Sequence, residues 1–174
     1  PLYARPELFP DALHPDEEGT QILAKTVYEK VTGDYGGLQM PFVFASHMVL
    51  QREKKIPFWG KANRGDKVII TFNNNSKSIT ANEDGDWRVE FPAMKGGGPY
   101  KATIVAAGKT MVLDDILVGE VWLCAGQSNM NFPLRSAINE SGEMLAAQKM
   151  TSIRFLNRTP IAETDHRAWD STTL

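Results

Sequence analysis

The chain has 174 residues, room for one medium domain or two small ones. Its hydrophobic share of 42% and charged share of 23% are those of a globular protein, which excludes a disordered or fibrous chain. A net charge of −2 gives no reason to expect nucleic acid or an anionic membrane as partner, and no stretch is long and apolar enough to span a bilayer.

Residues 1–10 carry three prolines and are predicted to be extended loop. Pro15 then suits the first position of a helix. Asp16, Glu17 and Glu18 place negative charge on its first turn, where the helix dipole favours it. Ile22, Leu23, Thr26, Val27 and Val31 recur at helical spacing and Gly33 supplies a stop, so the spacing predicts a helix over 15–32. Just ahead of it, Asp11 and His14 stand three residues apart. A carboxylate so placed can hold one imidazole nitrogen and leave the other as a general base. The alternative is a turn aspartate and a pre-proline histidine with no chemical task.

A glycine-rich break follows at 32–37, and the pattern changes. From Pro41 to about Asp115 the chain reads as short strands separated by turns: Phe42–Phe44, Met48–Leu50, Ile56–Trp59, Lys67–Phe72, then a stop at Asn73-Asn-Asn75. Trp87, Val89 and Phe91 alternate with Arg88 and Glu90, which predicts one buried and one wet face. Asp84-Gly85 ahead of them is a hairpin signal, and further strands are expected at Tyr100–Ala106 and Met111–Leu113. Strands at this spacing point to a β-sandwich of the immunoglobulin-like or jelly-roll kind. Trp59 and Trp87 belong to its core or, alternatively, stack on sugar rings.

From Ile116 the pattern changes again. Val121, Trp122, Leu123 and Cys124 form a short apolar run fit for a buried strand, with Cys124 as a buried small hydrophobe. Ala125-Gly126 permits a sharp turn that delivers Ser128 past the strand's end, where open α/β sheets place their chemistry. Backbone N–H groups of that turn, around Gly126, Gln127 and Asn129, can contribute to an oxyanion site. On spacing alone Ser128 is either a helix cap or a nucleophile. Met130 stands where a G-x-S-x-G elbow has its second glycine, which argues against an α/β-hydrolase. A helix over 137–150 and a second strand at Ile153–Leu156 complete one βαβ unit. The adjacent Asp165 and His166 point poorly for a catalytic pair. His14, His47, His166 and the single cysteine assemble no metal set, and no phosphate-binding glycine loop occurs.

Three blocks carry a family resemblance. Ile116-Leu-Val-Gly-Glu-Val-Trp-Leu-Cys-Ala-Gly-Gln-Ser-Asn-Met130 resembles the nucleophile block of the sialate O-acetylesterase family, within the wider SGNH (GDSL-like) hydrolases. Phe42-x-x-x-x-His47-Met-Val-Leu-Gln-Arg52 resembles the first strands of the β-domain that precedes the catalytic part of those enzymes. Asp11-Ala-Leu-His14-Pro-Asp-Glu-Glu-Gly19 resembles the D-x-x-H block near the carboxyl end of SGNH domains. The resemblance implies an α+β chain in three parts. Residues 1–37 would be the C-terminal tail of one SGNH α/β hydrolase domain, 38–115 the β-sandwich, and 116–174 the start of a second SGNH domain.

It further implies Ser128 as nucleophile, with Gly126, Gln127 and Asn129 at the oxyanion turn. Asp11 and His14 would be an acid/base pair of the neighbouring hydrolase domain. In the family the oxyanion site also draws on a glycine and an asparagine from later loops. Serine acyl transfer needs no cofactor, and the implied partner is an O-acetylated carbohydrate. Glycan-degrading relatives are usually exported, which implies a secreted or periplasmic parent. Because the chain opens at Pro1, it is read as a piece of a longer polypeptide. A second arrangement, in which Asp11, His14 and Ser128 form one permuted triad, uses the same parts. So does a non-catalytic reading, with the β-sandwich as a carbohydrate-binding or spacer module. Sialate, xylan and pectin esters all remain open as substrates.

Overall fold

The computed structural model describes residues 5–11, 14–126, 132–136, 138, 140–150 and 152–156. Among them the chain runs from a 3-10 turn at Pro6–Leu8 into helix α1 (Glu17–Thr32). Seven strands follow: β1 (Val49–Gln51), β2 (Ile56–Lys61), β3 (Lys67–Phe72), β4 (Asn75–Thr80), β5 (Asp86–Phe91), β6 (Gly97–Ala106) and β7 (Lys109–Gly119). A 3-10 turn at Leu134–Ser136 and helix α2 (Glu140–Ala147) complete the order. The architecture is α+β and mostly β.

The described residues group into two compact units. The first takes its residues from 5–41, 57–91 and 102–112, the second from 42–56, 92–101 and 113 onward.

In the first unit, α1 begins two residues later than the spacing predicts. Asp16 is its N-cap, extended in backbone, and its carboxylate accepts the Gly19 N–H at 2.7 Å. A capping residue lies outside the first turn, so Pro15 precedes the helix instead of opening it. Gly33 ends the helix as expected, left-handed at φ +74°, its N–H donating to the Glu29 carbonyl at 2.8 Å. The apolar stripe Leu23, Val27 and Val31 is present at helical spacing and stays exposed.

Strand β3 pairs antiparallel with β4 on one side and β6 on the other, and β2 pairs with β5. The inner face of β5 is the one its alternation predicts, Trp87, Val89 and Phe91, and Val68, Ile70 and Phe72 of β3 are buried as well. The rings of Phe58, Phe72 and Phe91 meet with centroids 5.4–5.7 Å apart, two of the three contacts edge-on. These rings join the two-stranded sheet to the larger one.

Two turns differ from expectation. Asn73-Asn74 does not merely stop β3. Both residues take positive φ (46° and 61°), the backbone of a two-residue hairpin, and β4 returns from it. Nothing in Asn75-Ser-Lys-Ser-Ile-Thr80 alternates hydrophobically, because every residue of this strand is exposed. Asp84-Gly85, expected as a hairpin, instead carries the chain from β4 to β5, which lie in different sheets. The turn is held by Asn82, whose Oδ1 accepts the N–H groups of Asp84 (2.9 Å) and Asp86 (2.8 Å). Gly85 sits there at φ +77°, and a Cβ at that position would lie 2.5 Å from the Ala62 carbonyl.

In the second unit β1 runs parallel to the end of β7, with Val49, Leu50 and Gln51 opposite Leu117, Val118 and Gly119. Phe44, Ile56, Leu113, Ile116 and Val118 are buried. Phe42–Phe44, predicted as a strand, is a turn, and β7 is one strand from Lys109 to Gly119 without a break at 116.

Three further expectations are corrected here. Residues 121–124 form no strand, and Trp122 and Leu123 are almost wholly exposed. Cys124 is exposed as well. Ile153–Leu156 is likewise not a strand, so the βαβ unit is not formed among the described residues. An apolar run becomes a buried strand only with a hydrogen-bonded neighbour and a covering layer, and composition specifies neither.

Candidate functional site

Asp11 and His14 are brought together directly. One Asp11 oxygen accepts the His14 backbone N–H at 2.6 Å, and the other lies 2.6 Å from Nδ1 of its ring. A single carboxylate thus grips both the main chain and the imidazole. The two residues are three apart, just ahead of Pro15 and the capped start of α1. With Nδ1–H donating to Asp11, the acceptor lone pair of the ring is on Nε2. Both side chains are exposed. The pair has the internal geometry of an acid and base, and Asp11 orients the imidazole.

Ser128, Gln127 and Asn129 lie outside the described residues, as do Asp165 and His166. Gly126 is described as exposed, non-strand backbone at the end of 121–126.

What is visible is the approach to the serine block, where two of the three quoted blocks meet. The Arg52 N–H donates to the Gly119 carbonyl at 2.8 Å, extending the β1–β7 ladder by one rung. The Glu120 carboxylate is then clamped: Arg52 Nε donates to it at 2.6 Å and Gln51 Nε2 at 3.0 Å. Gln51 turns its Oε1 to the next residue, accepting the Val121 N–H at 3.0 Å. These donors, Gln51 first and then Arg52, hold the Glu120 carboxyl below its ordinary range.

A second histidine–carboxylate pair lies a few residues upstream. His47 Nδ1 is 2.6 Å from Asp115 Oδ2, and Arg154 Nη2 donates to the same oxygen at 2.9 Å. Arg154 Nη1 also donates to the Asp115 backbone carbonyl. His47 and Asp115 both take positive φ, at 69° and 54°. The His47 bond and then the Arg154 bond hold the Asp115 carboxyl low. His47 stands isolated in the sequence, and motif spacing misses this pair because its members are 68 residues apart. Their only sequence signal is that each falls within or beside a quoted block.

A carboxyl with a depressed folded pKa stabilises the fold above its unfolded value and ceases to as pH falls through the folded one. Asp115 and Glu120 should therefore make the melting temperature fall as the medium is acidified below about pH 4, the unfolded carboxylate range. In thermal melts across this range, Asp115→Asn is expected to lower stability at neutral pH and flatten the acid limb. An acid limb identical to that of the unsubstituted protein would remove Asp115 from this role.

No family model matches the chain. It is 33% identical to human sialate O-acetylesterase over 136 residues, 69% of this chain and 26% of the human protein. It is 31% identical to the rat protein of the same name, over 70% of this chain and 25% of that one. Among solved structures it is similar to a carbohydrate acetylesterase from Xanthomonas citri, with a TM-score of 0.61 and 33% identity. That match covers 64% of this chain and 26% of the other. Fold and sequence alike place the chain among proteins related to carbohydrate acetylesterases. The resemblance to sialate O-acetylesterases runs over about two thirds of this chain, which spans about a quarter of the length of the curated relatives it matches.

Proposed function

We propose that the protein hydrolyses O-acetyl esters on carbohydrates, sialate first among them, by serine acyl transfer through Ser128. The observation that carries this reading is the 33% identity to a sialate O-acetylesterase in a chain that also holds the serine block. Ser128 Oγ attacks the acetyl carbonyl while a histidine takes its proton, and N–H groups of the Gly126–Asn129 turn help bind the oxyanion. The tetrahedral intermediate collapses, and the histidine returns the proton to the departing sugar oxygen. Water then attacks the acetyl-serine with the same histidine as base, and acetate leaves.

Asp11 and His14 are assigned to a neighbouring hydrolase domain, with their hydrogen-bonded geometry as support. In the full-length protein, acetate release from a 9-O-acetylated sialoside is expected to exceed that from acetylated xylan or pectin. His14→Ala is expected to leave release from the sialoside in place. Faster release from xylan or pectin would reassign the substrate. Loss of all release in His14→Ala would instead make Asp11, His14 and Ser128 one permuted triad.

A further inference from the structure

A groove in the first unit is assigned to neither the hydrolase nor the core. Trp59, Ile79, Asn82, Asp86, Trp87 and Arg88 line an open concavity of about 420 Å³, within the size range of small-molecule sites. Outward-facing side chains of β2 and β5, the end of β4 and the buried Trp87 beneath them shape it. Trp59 is 36% exposed, the large aromatic of a face whose neighbours Phe58 and Gly60 are inward or small. The Arg88 guanidinium lies over the Trp59 ring, 5.7 Å from its centroid, and places a cation on one face of the indole. Asn82 Oδ1 is occupied by two backbone N–H groups of the turn, which leaves its Nδ2 to donate. Trp87 is 2% exposed, and its indole N–H is buried without an acceptor.

We propose that this groove binds a neutral pyranose unit of a glycan. An indole face beside hydroxyl-matching donors and acceptors suits a sugar, which has an apolar C–H face and a polar rim. Charge decides between sugar classes. The acid of the groove, Asp86, is paired with Lys61 at 2.8 Å, and its cation, Arg88, with Glu90 at 3.1 Å. Recognition of a sialate or uronate carboxylate would require Arg88 to exchange one carboxylate for another. A neutral ring requires no such exchange. The groove would then hold the glycan backbone while acetyl groups are removed elsewhere, so the choice of a carbohydrate rests on the esterase reading and the binding itself does not.

The test is titration of the full-length Ser128→Ala protein with xylohexaose, and separately with 3′-sialyllactose, followed by the indole N–H signals in NMR and by calorimetry. Xylohexaose is expected to move the Trp59 and Trp87 signals, and Trp59→Ala to weaken its binding by about tenfold or more. Arg88→Ala should weaken it too, which guards against a folding defect in the first variant. Xylohexaose binding that neither substitution weakens, no binding of xylohexaose, or a preference for 3′-sialyllactose at these signals would overturn the proposal. The unsubstituted protein assayed on a chromogenic acetate ester keeps the two readings apart. Hydrolysis without xylohexaose binding sinks the groove alone, and binding without hydrolysis sinks the esterase alone.

Discussion

Replacing Ser128 with alanine in the full-length protein is expected to lower kcat for acetyl-ester hydrolysis by about 10³- to 10⁶-fold, with KM little changed. The size follows from the role. A nucleophile that forms the covalent intermediate cannot be bypassed, and what remains is the weak catalysis of the oxyanion site and of binding. A helix cap, the competing role for a serine at this position, would behave differently. Its loss costs about 1 kcal/mol of stability and leaves turnover largely in place. Steady-state kinetics on a chromogenic acetate ester, with thermal melts alongside, separate the two. The 174-residue chain assayed alone is expected to turn over weakly, since Ser128 and the pair Asp11–His14 are assigned to different catalytic sites. Robust turnover by that chain, lost in Ser128→Ala, would show that the three residues act together.

The second large effect concerns stability. Phe58→Ala is expected to cost about 3–5 kcal/mol, as for a large buried side chain whose cavity cannot close. Phe58 is 0% exposed and touches the rings of both Phe72 and Phe91, so its removal takes one aromatic contact from each. The adjacent Trp59→Ala serves as the control. It removes a larger side chain from the outer face of the same strand and should cost about 1 kcal/mol or less. Urea denaturation gives both numbers. Equal midpoints for the two variants would mean that the inward and outward faces of β2 are misassigned.

The contrast between Phe58 and Trp59 also marks what a sequence can and cannot convey. Where one face is buried and the other wet, the period of two is written in the residues. The inward set on β5 is therefore legible from the residues alone, in the Trp87–Phe91 alternation, whereas the exposed Ile69 blurs the pattern on β3. Helix α1 announces itself through spacing and its terminal glycine. The closeness of Asp11 and His14 is local, between residues three apart, and so within reach of a short motif.

What the residues do not convey is non-local. Strand β4 carries no hydrophobic pattern because all six of its residues are exposed, and the two-asparagine turn is what returns the chain along β3. The Val121–Cys124 run has the composition of a strand, but composition does not name the neighbour a strand must pair with. Trp59 and Trp87 are equivalent by residue type, each fit for a core or a sugar platform. The backbone pleat divides them, Trp87 inward and Trp59 half-exposed. The Glu120 clamp and the His47–Asp115 pair join residues 68 apart, a relation that no motif spacing conveys.

That separation also bears on how the protein reaches its working form. The parallel rungs of Val49–Gln51 on Leu117–Gly119 close a long chain segment, and the entropy of closing it must be met before the rungs return anything. Such contacts form late in folding, after the hairpins β3–β4 and β6–β7 have shortened the path between the ends. The stretch from Leu117 to Val121 is therefore among the last to be set in place. A nascent chain would acquire its β-core before Gln51 and Arg52 met Glu120. Substitutions at Gln51, Arg52 or Glu120 should then slow the appearance of activity during refolding more than they slow the burial of the aromatic core.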